Sequence, residues 1–275
     1  MDPADVLWIG GPQGSGKSSV ARALAYRFDL QLYLVDHRVW VHEPRMPSTE
    51  FGSLSLEERW VTATPERMLG WFVTTSRHRF RLVLEDLRAL PAAPGAVVEG
   101  PQLFPTSVAA VLRSPERALF LVPSPAEQRE RLLARGPMPN VSDGLQARRN
   151  ATERDLMISA LYEREARDLR LLVLRSDGPL DEVVERAAAH FRPVVDRLPR
   201  GGDLAAVRRR ENDVLATQVR LYAESLLPTV LEDRPLAFAC ECGATGCTAE
   251  LELTLEQYEA VSAAADRSPL RRPTP

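Results

Sequence analysis

Two short runs of this sequence combine residue types and spacings that do chemistry. The first is Gly11-Pro12-Gln13-Gly14-Ser15-Gly16-Lys17-Ser18, which fits G-x-x-x-x-G-K-[ST]. Glycines at these positions let backbone N–H groups curl around a β-phosphate that side chains would obstruct. Lys17 is spaced to reach the β- and γ-phosphates, and the Ser18 hydroxyl to ligate Mg²⁺. A helix starting here adds the positive end of its dipole. The nucleotide-contacting set is then Gly11, Gly14, Ser15, Gly16, Lys17, Ser18 and Ser19. The second run is Cys240-Glu241-Cys242-Gly243-Ala244-Thr245-Gly246-Cys247, a C-x-C-x₄-C pattern. Thiolates this close together can hold Zn²⁺, but a closed structural site takes four ligands and three are present. Glu241, Glu250, Asp266, water or a partner chain stand as candidates for the fourth. Free reduced thiols or a redox role remain as alternatives.

The elements around the first run are readable. Val6-Leu7-Trp8-Ile9 is an apolar run ending in glycines, as a buried strand does, and Val20 to Phe28 continues as a helix with Val20, Leu24 and Phe28 on one stripe. Further strands are expected at Leu30–Val35, Ala96–Val98, Ala118–Val122 and Leu171–Leu174. Helices are expected over about Leu54–Leu90 with a break near Pro65, from about Ala126 to Ala134, and from Leu180 to about Arg192. Strands alternating with helices point to an α/β fold, a mainly parallel five-stranded sheet covered on both faces. Ligands sit at the carboxyl ends of such strands. Leu198–Asp203 reads as a linker, with Asp203 capping a helix over Leu204–Leu227. Arg208-Arg209-Arg210 on that helix reads as a solvated face. Leu251–Leu255 alternates like a half-exposed strand, and residues from Ser268 onward look frayed. The expected organisation is a phosphate-loop domain over 1–198 and a small Cys-containing appendage over 199–275.

Composition excludes several classes. The 275 residues carry a formal net charge of −3 with 44% hydrophobic residues, so neither disorder nor bulk electrostatic binding to nucleic acid is expected. No apolar run approaches the roughly 18–20 residues of a membrane span. The start, Met1-Asp2-Pro3-Ala4-Asp5, is acidic where a signal peptide needs a basic segment, which leads to the expectation of a cytoplasmic protein. Oligomeric state is not legible.

The strand–loop–helix unit resembles the start of the P-loop kinases of small molecules and nucleotides, adenylate-kinase-like and shikimate-kinase-like, and their order of elements is matched over roughly residues 5–195. The resemblance implies ATP and Mg²⁺ as cofactors and a small-molecule substrate. It implies an acidic residue near the acceptor at the end of the second strand, matched by Asp36, as general base or hydrogen-bond acceptor. Arg38, two residues on, is suited to an anionic acceptor. Glu99 matches the acidic residue that orients the Mg²⁺ water shell. Nucleotide kinases read Asp-Gly-Phe-Pro-Arg at that segment. Here it reads Glu99-Gly100-Pro101-Gln102-Leu103-Phe104, without the arginine that grips a monophosphate acceptor. The stretch Arg131–Arg154 matches the family's lid, whose arginines neutralise the transferring phosphoryl group. Arg135, Arg148, Arg149 and Arg154 are its candidates, Arg148 and Arg149 foremost. Gly136, Pro137, Pro139 and Gly144 suit a mobile loop there.

Between Asp36 and Glu99, the region of the acceptor in that family, the chain is mixed aromatic and basic: Trp40, His42, Arg45, Trp60, Arg67, Trp71, Arg77, His78 and Arg79. Trp60, Trp71 and Phe72 read as core rather than as a substrate platform. The combined expectation is an ATP-dependent phosphotransferase acting on a small-molecule hydroxyl or phosphate. Two alternatives stay open: an ATP-binding or ATP-hydrolysing regulator without an acceptor, and a nucleotide-binding module with a zinc tail.

Overall fold

The computed structural model describes residues 1–226, 234–263 and 269–271. Five strands, β1 (Leu7–Gly10), β2 (Gln31–Leu34), β3 (Ala96–Gly100), β4 (Ala118–Val122) and β5 (Leu172–Arg175), form one parallel sheet in the order β2-β3-β1-β4-β5. The helices in chain order are α1 (Lys17–Arg27), α2 (Val39–His42), α3 (Glu50–Ser53), α4 (Pro65–Ala89), α5 (Pro105–Ala109), α6 (Pro125–Leu133), α7 (Gly144–Asp168), α8 (Leu180–Val195) and α9 (Leu204–Leu226). A hairpin of β6 (Leu236–Ala239) and β7 (Glu250–Leu253) and a last helix α10 (Leu255–Ala263) follow.

The alternation within β1 explains the layering. Val6 and Trp8 point to one face of the sheet, where Phe80, Val83 and Leu87 of α4 and Ile158, Tyr162 and Ala166 of α7 cover them. Leu7 and Ile9 point to the other, under Val20 and Leu24 of α1 and Val183, Ala187 and Phe191 of α8. Each fully buried side chain of this size contributes roughly 1.5–3 kcal/mol of transfer free energy. With both faces covered, the central strands are apolar throughout, as parallel strands are.

All five expected strands form, four of them within about one residue of their expected ends; β3 runs on through Glu99 to Gly100, two residues past its expected end, and α1, α6 and α8 follow the apolar stripes. The helical region from about residue 54 with its break near Pro65 is as expected: residues 56–62 are helical, ending in a five-residue π-turn, Glu58–Thr62, the break falls at Ala63 and Thr64, and α4 starts at Pro65 with Thr64 as its cap. The 25-residue α7 takes up residues 144–154 of the stretch expected as a lid, and α6 its first three residues. The connection before it is short and tied down, with Ser142 N donating to Glu57 Oε2 at 3.0 Å and Met138 N to Gly144 O at 2.9 Å.

Arg208 is not on a solvated face. It is 6% exposed, donates to Leu30 O at 3.0 Å, pairs with Glu211 at 2.8 Å and stacks over the Tyr26 ring. Burial of its planar guanidinium is possible because these groups satisfy its donors. Arg209 pairs with Glu241 and Arg210 donates to Gln31, so all three arginines fasten α9 to its neighbours. Asp203 caps α9 through Ala206 N, at 3.1 Å. Leu227, the expected end of that helix, lies outside the described residues, as do Asp266, Ser268 and residues 272–275. Leu270, expected to be frayed, is 7% exposed and packs with Ala216, Phe238 and Tyr258.

Candidate functional site

The loop between β1 and α1 is shaped by glycines that no other residue could replace without strain. Gly14 and Gly16 have φ of 81° and 75°, in the left-handed region. A Cβ on Gly11 would lie 2.3 Å from Leu121 O. Gly16 is the N-cap of α1 and offers no side chain to the first-turn N–H groups, and the space above it is open. An uncapped helix start facing open space is a ready anion site. Gln128 of α6 supports the loop from behind, donating to Gln13 O at 2.9 Å, and Arg131 donates to Gly14 O at 3.0 Å.

Lys17, 4% exposed, lies 3.6 Å from Glu99 Oε1 and 3.5 Å from Pro12 O. Glu99 ends up here because β3 pairs it with Ile9 on one side and with Leu34 on the other. It is 1% exposed, and burial pushes its carboxyl up to about 7. Lys17 opposes that rise, the charge of Asp36 adds to it, and the Ser18 hydroxyl opposes it again. Asp36 stands just past the end of β2 and accepts from Gln102 Nε2 at 3.1 Å. Of the ten side-chain polar atoms buried without a hydrogen-bond partner among the described residues, Glu99 Oε1, Ser15 Oγ and Gln102 Oε1 lie together here. Native structures rarely leave buried polar atoms unsatisfied, so these point to a ligand. The donor set fits Mg²⁺ with a polyphosphate: hard oxygen donors from Ser18 and Glu99, and cationic and N–H donors for the phosphates.

A cleft of about 410 Å³ runs from Gln13–Val20 and Asp36 past Arg131 and Arg135 to Ser176, Gly178, Leu180 and Val183. A second cleft of about 210 Å³ shares Gln13 with the first and is lined otherwise by Phe51, Arg59, Trp60, Met68, Trp71, Phe72, Thr75 and Arg154. Trp60, Trp71 and Phe72 therefore do two things. Trp71 packs with Ala63, Met68 and Ala151 in a small core, and the same ring group walls a cavity. Arg154 lies over the Trp60 and Phe72 rings at 5.3 and 5.7 Å and pairs with Asp155 at 2.8 Å.

The sequence-derived residues divide accordingly. Lys17, Ser18, Ser19, Asp36 and Arg135 line the first cleft, with Glu99 beside Lys17, and Arg154 lines the second. Arg38 stacks on Tyr33 at 5.3 Å and faces the gap between β2 and α9. Arg148 donates to Gly136 O at 2.8 Å, and Arg149 is exposed and bonded to Gln146. His42, Arg45 and Arg79 serve α4 and its surroundings. His42 and Arg45 converge with Tyr33 on Asp86, and Arg79 holds Val39 O and Glu43. Burial alone would raise Asp86, but the His42 and Tyr33 hydrogen bonds hold it at about 2.

Asp155, Gln13 and Arg131 were not singled out in the sequence. Asp155 is 3% exposed and raised by burial, with Arg154, Lys17 and Arg135 opposing the rise. One signal would have found it. Ala151, Asp155, Ile158 and Tyr162 recur at helical spacing, and the single carboxylate interrupts an otherwise apolar stripe.

The strand order, the loop and its buried lysine define a P-loop NTPase core. No family model matches the chain, and no curated protein matches it. Among solved structures it is similar to a shikimate kinase from Acinetobacter baumannii in complex with shikimate, at 15% identity over 71% of this chain and 96% of that one, TM-score 0.42. It is also similar to TT1252 from Thermus thermophilus, at 25% identity over 70% and 97%, TM-score 0.42. A gluconokinase from Sinorhizobium meliloti 1021 matches at 17% identity over 72% and 97%, TM-score 0.36. Scores this low add nothing to the class that the loop and sheet already define. Among the described residues no helix is long and apolar enough to cross a membrane.

Proposed function

We propose that the protein is an ATP-dependent phosphotransferase that moves the γ-phosphoryl group of ATP to a small-molecule acceptor. The observation supporting this most is that two clefts meet at Gln13 of the phosphate loop. A nucleotide hydrolase needs one of them. A transferase needs both, one for each reactant.

In this reading ATP lies in the first cleft, its phosphates on the N–H groups of residues 14–19 and its base toward Leu180 and Val183. Ser18 Oγ directly, and Glu99 through water, would hold Mg²⁺, which would supply charge neutralisation at the phosphates. Lys17 stabilises the charge that develops on the transferring group. Arg135 and Arg131, which line the cleft, take the role expected of lid arginines. Arg148 shapes the loop before α7 through Gly136. The acceptor occupies the second cleft, and its aromatic walls suit a molecule with a flat or apolar part beside the reacting hydroxyl. As the acceptor oxygen bonds to phosphorus, the bond to the β,γ-bridging oxygen breaks. The hydroxyl proton passes to the Asp36 carboxylate and ADP leaves.

The test is ADP release from Mg²⁺-ATP across a panel of hydroxylated acceptors, aromatic and non-aromatic, with Lys17→Ala alongside. A rate raised at least tenfold by one acceptor and lost in Lys17→Ala supports the proposal. A rate indifferent to every acceptor, with ATP bound, supports the regulator reading instead.

A further inference from the structure

The phosphate chemistry leaves the cysteine run unused, and the structure gathers it. Cys240 is buried at the end of β6, and Cys242 and Cys247 flank the turn that follows. Their three sulfur atoms lie within 4.8 Å of one another. Gly243 and Gly246, at φ of 72° and 67°, bend the turn, and Cys247 N closes it on Ala244 O at 3.2 Å. Cys240 N is held by Ala249 O at 2.9 Å on the other side. Ala244 N points at Cys242 Sγ from 3.4 Å, an arrangement that favours charge on sulfur.

We propose that Cys240, Cys242 and Cys247 hold one Zn²⁺ through three thiolates, with the fourth position open to water or another exogenous ligand. Tetrahedral zinc with Zn–S bonds of about 2.3 Å sets its sulfurs about 3.8 Å apart. The observed cluster needs a contraction of at most about 1 Å to reach that. All-sulfur donors exclude Mg²⁺ and Ca²⁺, and a d¹⁰ ion imposes no geometry that three ligands on one short turn would violate. Of the internal candidates for a fourth ligand, the two described ones are engaged elsewhere, and Asp266 lies outside the described residues. Glu241 is fully buried against Arg209, Asn212 and Leu270 N, and Glu250 pairs with Arg22 at 2.7 Å. No described histidine or carboxylate joins the three sulfurs.

The ion has a structural task to perform. The hairpin and α10 bury only a small core, Phe238 stacked on Tyr258 at 4.2 Å with Ala216 and Leu270. Units this small are held by staples such as metals. The cysteine turn also touches the core directly. Gly246 N donates to Asp29 Oδ1 at 2.8 Å, just past the end of α1, the helix that begins at the phosphate loop. From there α9 reaches along the open side of β2, Glu211 accepting from Leu32 N at 2.7 Å and Gln218 from Trp40 N at 3.0 Å. A zinc at this turn therefore pins the segment that flanks Asp36.

The test uses the full chain purified without chelator. Metal analysis after dialysis is expected to give about one zinc per chain, falling below about a tenth in Cys242→Ser and in Cys247→Ser. Binding of a fluorescent ATP analogue in those variants reports that the core is folded, independently of any transferase activity. Should the variants fail to fold, the wild type decides alone. Replacement by Co²⁺ is expected to give thiolate-to-cobalt charge-transfer bands and tetrahedral d–d bands, and chelation is expected to release three titratable thiols. Three freely reactive thiols in the metal-free isolated chain that fail to take up Co²⁺, an internal disulfide, preferential Cu⁺ retention over Zn²⁺, or zinc unchanged in both variants would overturn the proposal.

Discussion

Lys17 Nζ sits 3.6 Å from Glu99 Oε1 with both side chains shut away from solvent, and burial pushes the glutamate's carboxyl up to about 7. The pair is longer than a tight salt bridge and Glu99 Oε1 has no hydrogen-bond partner among the described residues. A buried charge pair this loosely made is a poor source of stability. In the proposed function, Lys17 serves the phosphates and Glu99 the water shell of the cation.

The pH dependence of stability follows from Glu99. Its folded pKa of about 7 lies above the ordinary glutamate value, so the native chain binds more protons than the unfolded chain between those two values. Stability contributed by this group is therefore lost as pH rises from about 4.5 to about 7, and is constant above that. Glu99→Gln, neutral at every pH, is expected to flatten this slope and to raise the melting temperature of the ligand-free protein at pH 8, by roughly 1–3 kcal/mol of stability. Thermal unfolding at pH 5, 6.5 and 8 checks it. A wild type that gains stability across that range relative to the variant goes against the assignment.

Asp36→Asn keeps the shape and the Gln102 contact but cannot take a proton. A fall in kcat of about 10²–10⁴ is expected with the KM for ATP little changed, since general-base catalysis has that magnitude. Steady-state kinetics separate the two constants. A raised KM for ATP with kcat intact would place Asp36 on the nucleotide rather than on the acceptor.

Trp60→Ala opens the wall on which Arg154 rests, at 5.3 Å. The KM for the acceptor is expected to rise about 10–100-fold, the loss of one aromatic face and its cation contact, while ATP affinity holds. Equal losses for both substrates would show that the second cleft is only core.

Arg208 is needed for the seating of α9. Arg208→Met leaves Glu211 without its cationic partner, with Leu32 N still donating to it, in a largely enclosed position where burial already raises its carboxyl. A loss on the order of 3 kcal/mol is expected in urea unfolding, and Glu211→Leu added to it is expected to recover much of that. Additive losses would show that the two residues act separately.

These residues also mark where the sequence could be read and where it could not. The phosphate loop is a local spacing, and the strands are short apolar runs closed by glycine or charge, so both are visible in the chain itself. The two clefts are not local. Phe51, Trp60 and Trp71 meet Arg154 only because α7 packs against α4, and α7's buried stripe of Ala151, Asp155 and Ile158 is too small and too polar to announce a 25-residue helix. Arg148 and Arg149 fall where the family resemblance implies a lid, yet helical phase turns Arg149 outward and lets Arg148 be spent on Gly136. Arg208 looked solvated because charge runs are usually so. Only the fold brings Leu30 O, Ala25 O and Glu211 to it.

The most direct measurement follows the γ-phosphoryl group itself. Turnover of Mg²⁺-ATP in ¹⁸O-labelled water, read by ³¹P NMR with and without the best acceptor of the panel, separates transfer from hydrolysis. The expected result is a phosphomonoester without ¹⁸O, formed in step with ADP and only when the acceptor is present. Inorganic phosphate carrying ¹⁸O, equal to the ADP released whether or not an acceptor is added, would contradict a phosphotransferase.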